Sequence, residues 1–210
     1  MGHMIEKVLA RQGIELAAAT EDVCSTPQAL AKECVCIDFT FPQSFRANYK
    51  FLADNFKAVV VGTTGWEDIK EEVIGYFQKK GTPMIYASNF SIGVNALFAA
   101  VTRAADILKG HGYEPHIEET HHIHKLDAPS GTAKSLGALV KESMDCEVPI
   151  SAKREGEVAG IHTVVFNSTV DSLTFTHEAF SREGFAVGAV YAAFMTEEIR
   201  GVHEFKDLIL

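Results

Sequence analysis

The sequence predicts an α/β fold, a doubly wound parallel sheet followed by a second unit of α+β type. Three observations carry this. Short β-branched runs alternate with helical stripes through the first 90 residues, three strand-like segments crowd together later in the chain, and one more helix follows them. Strands joined through single helices need crossovers, which are right-handed and give parallel pairs.

The elements run in order along the chain. MGHMIEKVLARQG sets Ile5, Val8, Leu9 and Gln12 on one helical stripe and stops at Gly13, a good residue just past a helix end. IELAAAT reads as a short buried strand, STPQALAKE as a short helix with Pro27 at its first position, and CVCIDF as another strand. Pro42 starts a helix over PQSFRANYKFLADNF, and the β-branched run KAVVVG ends on a glycine. WEDIKEEVIGYFQKKG is a helix with Lys79 and Lys80 in its last turn, where cations favour the helix dipole, and TPMIYAS is the next strand. Then come a long helix at NALFAAVTRAADILKG, a strand at YEPHIEET and a second helix at SGTAKSLGALVKESMD. PISAKRE, GIHTVVFNST and DSLTFTHEA leave little room for helices between them and so predict antiparallel hairpins. SREGFAVGAVYAAFMTEEI is helical on the spacing of Phe185, Val190 and Phe194, and GVHEFKDLIL docks as a last short element.

A doubly wound nucleotide-binding sheet normally opens with a strand and a glycine-rich turn, whereas this chain opens inside a helix. Met1-Gly2 reads either as the tail of that turn or as part of an expression scar, MGHM. The expectation is that the first strand is missing and that NADH binds more weakly than to a version with strand and turn restored.

Composition narrows the function. The chain has 210 residues, 47% hydrophobic and 22% charged, with a formal charge of −9 and a pI near 5.5, which argues against general nucleic-acid or membrane-surface binding. Its longest apolar run, NALFAAVTRAADIL, carries Arg103 and Asp106 and falls short of the roughly 20 residues of a membrane span. Cys24, Cys34, Cys36 and Cys146 form no C-x-x-C pair, so reduced thiols and a cytoplasmic location are expected.

Against that acidity, EETHHIHKLDAPSGTAK gathers three histidines and two lysines. Three readings compete. The stretch is a solvated loop; or it binds metal through His122 and His124 with His116, Glu118 and Glu119 nearby, although no recognised zinc spacing is present and no metal is expected; or it is an anion and proton-transfer site. The residues after the histidines favour the third. Pro129 ends the extended segment, Ser130 is placed as an N-cap, and Gly131-Thr132 would open a helix whose free N–H groups suit carboxylates or phosphates.

HHIHKLDAPSGTA resembles the signature of the dihydrodipicolinate reductase family, also called 4-hydroxy-tetrahydrodipicolinate reductases, of lysine and diaminopimelate biosynthesis. The likeness extends to CIDFT, VGTTG, SNFSIGVN, GIHTVVF and HEAFSREGFAVGAVYAA, in the family's order. It implies a Rossmann-like dinucleotide domain at 1–90 completed by 182–210, and a domain at 91–181 for substrate binding and homotetramer assembly. It implies hydride transfer from NAD(P)H to the ring of a small dicarboxylate, then protonation. By matching positions His121 would be the proton donor and Lys125 the second acid, with His122, Lys125, Gly131 and Thr132 holding the carboxylates. Phe39, Thr40, Gly62, Thr63, Thr64, Ala87, Ser88, Asn89 and Phe90 would line the cofactor.

Glu21, at the end of IELAAAT, is placed to accept from an adenosine ribose hydroxyl, and Asp22 follows it, so NADH is preferred with NADPH possible. Each position has a plainer reading: Gly62 ends a strand, Asn89 caps a helix, Phe90 is core. Ile123 stands where many relatives carry a basic residue, and Arg154 and Arg182 receive no role. The alternatives to a reductase of this family are another two-domain dehydrogenase and a non-catalytic, cofactor-deficient oligomeric remnant.

Overall fold

The structure, a computed structural model, describes residues 1–209. It divides into two compact units. One comprises Met1–Ile92 together with the chain from Glu183 onward, and the other Gly93–Arg182. Among the described residues no helix is long and apolar enough to cross a membrane.

The first unit is a four-stranded parallel sheet with helices. Its strands are β1 (Val35–Asp38), β2 (Ala58–Val61), β3 (Met84–Tyr86) and β8 (Val202–Glu204), adjacent in that order. AVVV of β2 is buried at every position, as expected for a central strand covered on both faces. The crossovers are α3 (Pro42–Asn55) and α4 (Lys70–Lys80). Gly81, at φ 75°, ends α4 in the left-handed conformation that glycine adopts without steric cost. Phe45, Leu52, Val73 and Phe77 pack with Val59, Val61 and Met84 on one side of the sheet. On the other side α1 (Gly2–Gln12) seats Ile5, Val8 and Leu9 against Ala186 and Val190 of α7 (Glu183–Met195).

Several expectations need correction. IELAAAT is not a strand: residues 14–20 run without regular structure, and Leu16 is 45% exposed. Three alanines and a glutamate offer too little apolar area to seat on a sheet. Pro27 stands at the N-cap of the short α2 (Gln28–Ala31) rather than inside it. GVHEFKDLIL forms β8, which adds a parallel strand beside β3, and then α8 (Phe205–Ile209). In α7 the large residues do not set the buried face. Ala186, Gly188, Ala189, Val190 and Ala192 are buried while Phe194 is 53% exposed.

The second unit opens along α5 (Ile92–Leu108) and holds a sheet of order β5-β4-β6-β7, from β5 (Ile150–Arg154), β4 (Glu114–His121), β6 (Gly160–Asn167) and β7 (Ser172–Ala179). β6 and β7 form the expected antiparallel pair. β5 does not join them: it pairs parallel with β4. The reason is α6 (Gly131–Met144), which carries the chain back along the sheet between β4 and β5 and so makes a crossover rather than a hairpin. Strict alternation in β4 and β6 puts Ile117, Val164 and Phe166 into a core with Leu97, Val101, Leu136 and Val140. That same face carries Glu119, His121 and His162 at its upper end, all buried.

Candidate active site

The second unit assembles an acid–base cluster where β4 ends. Residues i and i+2 of a strand share a face, so Glu119 and His121 point to the same side. Cross-strand pairing places His162 of β6 opposite Glu119, and His177 of β7 opposite His162. From β5, Arg154 reaches in to the same carboxylate.

Glu119 is the hub, its side chain wholly buried. Its Oε1 accepts from the Ser130 N–H at 2.9 Å and from Arg154 Nη2 at 3.1 Å. Its Oε2 stands 3.0 Å from Nδ1 of His121 and 3.8 Å from Nε2 of His162. Burial pushes the carboxyl's pKa up, but hydrogen bonds from Ser130 and Arg154 outweigh it and hold the group below its ordinary range. The histidines move down. Burial lowers His121, with Glu119 opposing and Lys125, Arg154 and His122 assisting. His162 is pushed down to about 4, chiefly by burial and then by His121. Its ring lies 5.0 Å from that of His121, edge to face, and Ser130 Oγ is 3.2 Å from its Nε2.

The loop between β4 and α6 carries the remaining candidates. Lys125 is half-buried and paired with Asp127 at 2.8 Å. Arg154 staples this loop, donating to the carbonyls of Lys125 at 3.3 Å and Asp127 at 2.5 Å. His122 is half-buried, with its ring 5.8 Å from that of His124, which turns out to Glu157. Ser130 is the N-cap of α6 as expected, its hydroxyl accepting from the Ala133 N–H. Its own N–H is given to Glu119, which leaves Gly131 and Thr132 to offer their N–H groups at the helix start. Gly160 closes the cluster: a Cβ there would lie 3.0 Å from Nε2 of His121.

The three ligand atoms of Glu119, His121 and His162 lie within 4.8 Å of one another, close enough to chelate a cation. The guanidinium of Arg154 on the same carboxylate already supplies the positive charge, so the group reads as a hydrogen-bonding network.

In the first unit the candidate cofactor residues stand on the loops after β1, β2 and β3, the carboxyl edge where open α/β sheets take ligands. Asp38, nearly buried at the end of β1, orders them. Its Oδ1 accepts from the Thr40 N–H at 2.9 Å, the Thr40 hydroxyl at 2.8 Å and the Thr63 hydroxyl at 2.6 Å. Gly62 donates its N–H to the Asp38 carbonyl, and a Cβ on it would strike the Phe39 ring at 2.2 Å. Thr64 and Ser88 are exposed, whereas Ala87 is buried. Asn89 accepts from the Ser91 N–H at 2.8 Å, a local bond in the turn ahead of α5. Phe90 is core, 1% exposed with its ring tilted against that of Phe205 at 5.0 Å, so it supports the loop from beneath and does not face a ligand. Backbone N–H groups and small hydroxyls at this edge fit a nucleotide. Glu21 is exposed in a bend, not at a strand end, and Asp22 is committed to the N–H of Cys24.

Sequence reasoning misses three of these residues. Glu119 enters it only as a metal neighbour, although its i, i+2 relation to His121 is legible there. Arg154 and His162 come from strands whose register no local pattern discloses.

The comparisons agree with this architecture. Residues 1–90 match the family model described as dihydrodipicolinate reductase, N-terminus, and residues 93–209 the one described as its C-terminus. A 4-hydroxy-tetrahydrodipicolinate reductase of Christiangramia forsetii is 37% identical over 100% of this chain and 93% of its own. That of Chromohalobacter salexigens is 35% identical over 91% of this chain and 77% of its own. Among solved structures, a dipicolinate-bound dihydrodipicolinate reductase from Paenisporosarcina sp. TG-14 shares the fold, with TM-score 0.79 and 21% identity over 96% of this chain and 84% of that one. The fold and the site define an oxidoreductase that uses a pyridine nucleotide. The chain belongs to the dihydrodipicolinate reductase family.

Proposed function

We propose that this enzyme reduces 4-hydroxy-tetrahydrodipicolinate, or the dihydrodipicolinate derived from it, to tetrahydrodipicolinate in lysine biosynthesis, with His121 as proton donor. The reductase relatives support the reaction, and one observation carries the residue assignment. His121, Lys125 and the donors of Gly131 and Thr132 belong to a single strand–loop–helix segment, tied together by Glu119 and Arg154.

Loss of the 4-hydroxyl as water gives the conjugated dihydrodipicolinate ring, to which bound NAD(P)H would supply hydride. The N–H groups of Gly131 and Thr132, with His122 and Lys125, hold the two carboxylates and orient the ring. Lys125 must exchange Asp127 for a substrate oxygen, and its charge then stabilises the electron density that hydride leaves on the ring. His121 gives the proton that completes the reduction, and solvent restores it.

NADH is the proposed reductant: Glu21 and Asp22 set two adjacent carboxylates on the exposed segment ahead of β1, and a 2′-phosphate approaching that segment would be repelled. Four free thiols suit a reducing cytoplasm. Assembly as a homotetramer is supported by the outer face of the second sheet, where Ile161, Thr163 and Val165 stand beside Thr174 and Thr176 and are only partly covered within the chain.

The test is nicotinamide absorbance in the presence of 4-hydroxy-tetrahydrodipicolinate, with each nucleotide, for the native chain and for His121→Gln. Turnover with NADH at higher kcat/KM, and a fall in kcat of about 10²-fold or more in the variant, is the expected result. No oxidation of either nucleotide, or an undiminished variant, overturns the reading.

A further inference from the structure

We propose that Glu119 is the positioning residue of this site, holding the neutral His121 imidazole as its Nδ1–H tautomer so that Nε2 faces the substrate, while Arg154 locks Glu119 to the Lys125 loop. This rests on the proton-donor reading of His121.

Two buried atoms carry the argument. Glu119 Oε2 and His121 Nδ1 are 3.0 Å apart, yet neither has an in-line hydrogen-bond partner. Each is within reach of the other, and a small rotation of the ring brings the N–H into line. Leaving a buried donor and acceptor unsatisfied is costly, so the pair is driven to form that bond. Forming it fixes the tautomer, because a ring nitrogen facing a carboxylate must carry the proton. The other nitrogen is then the reactive one. Nε2 lies beside Gly160, where a Cβ would stand only 3.0 Å away, so the glycine keeps that nitrogen from being covered by a side chain.

The opposite oxygen of Glu119 serves a second purpose. Through Oε1 it holds the N–H of Ser130, which sets the start of α6, and the guanidinium of Arg154, whose remaining donors reach the carbonyls of Lys125 and Asp127. One carboxylate therefore connects the proton donor, the carboxylate-binding helix start and the lysine loop. Arginine suits the task because its planar fork serves several acceptors at once, which an ammonium on a flexible stem does not.

The charges facing His121 are Glu119 on its own strand, Arg154 from β5, His162 from β6, and His122 and Lys125 from the loop, where Lys125 is paired with Asp127. Of these Glu119 alone favours the imidazolium. Replacing it with the neutral isostere makes His121 harder to protonate, so the proton donor is lost at a lower pH.

Long-range proton–nitrogen NMR on the native protein, with His121 assigned through His121→Gln, reads the tautomer directly and needs no folded variant of Glu119. The expected neutral form carries its proton on Nδ1; a proton on Nε2 overturns the proposal. In Glu119→Gln the His121 titration and the alkaline limb of kcat/KM should both move to lower pH by at least about half a unit. Arg154→Lys, which keeps the charge, should leave the titration in place and raise KM at least about threefold, since the loop loses its fork. An unmoved titration in Glu119→Gln rejects the positioning role. Full turnover in His121→Gln would instead reject the proton-donor reading, and the tautomer measurement distinguishes the two failures.

Discussion

Gly188 in α7 lies so close beneath the carbonyl of Phe90 that a Cβ on it would stand 1.7 Å from the Phe90 oxygen and 2.8 Å from its carbonyl carbon. The helix and the loop after β3 thus touch backbone to backbone. Gly188→Ala must push them apart, and the obstacle is main chain, which cannot rotate away. Overpacking of this kind costs about 1–3 kcal/mol and occasionally more, so the variant should lose stability at the upper end of that range in denaturant titrations. NADH affinity should fall with it, because Ser88 and Asn89 belong to the displaced loop.

Asp38→Ala tests the order of the cofactor loops. It removes the acceptor shared by the Thr40 N–H and the Thr40 and Thr63 hydroxyls. Thr63, the buried donor among them, loses its acceptor, which costs about 1–3 kcal/mol in unfolding free energy, whereas the exposed Thr40 can turn to water. Calorimetric titration should give weaker NADH binding, with binding of a dipicolinate analogue unchanged, since none of these residues belongs to the acid site.

The pH profile follows from the environment of His121. In the free enzyme burial holds it below the ordinary imidazole range, so kcat/KM, which reports the free enzyme, should decline as pH rises through a limb below about 6.5. A bound dicarboxylate adds negative charge beside the ring and favours the imidazolium. The alkaline limb of kcat should therefore lie at higher pH than that of kcat/KM. Coincident limbs would mean that the dicarboxylate does not approach His121.

Stability should also depend on pH through His162. Its folded value of about 4 lies below the ordinary 6.5, so between those values the unfolded chain binds the extra proton and the fold loses stability as pH falls. The loss should reach on the order of 3 kcal/mol by pH 4. Glu119, held below its ordinary range, adds a further loss as pH falls through its folded value. Chemical denaturation between pH 4.5 and 7 should slope accordingly, and His162→Phe should flatten the slope.

Helix and strand periods make most of the first unit legible, because α3, α4, β2 and β3 are long or apolar enough for one period to prevail. IELAAAT misleads because an apolar count does not distinguish alanine, which buries little, from the β-branched residues that hold a strand. β5 escapes for another reason: pairing partners are chosen across space, and nothing local in ISAKR favours β4 over β6. The acid site is legible where its residues are consecutive, from His121 to Thr132. Glu119, Arg154 and His162 become visible only once register places them together. In α7 the bulky residues mislead, since close helix packing at Gly188 depends on small side chains.

The crossover from β4 through α6 to β5 gives the second unit the same design rule as the first. In both, a loop carrying candidate site residues leaves the carboxyl end of a strand that has a parallel neighbour, and a helix carries the chain onward. The two sets of candidate residues thus stand on separate sheets built to one grammar. Substitutions among the loops of the first sheet should accordingly leave the register of the histidine row untouched.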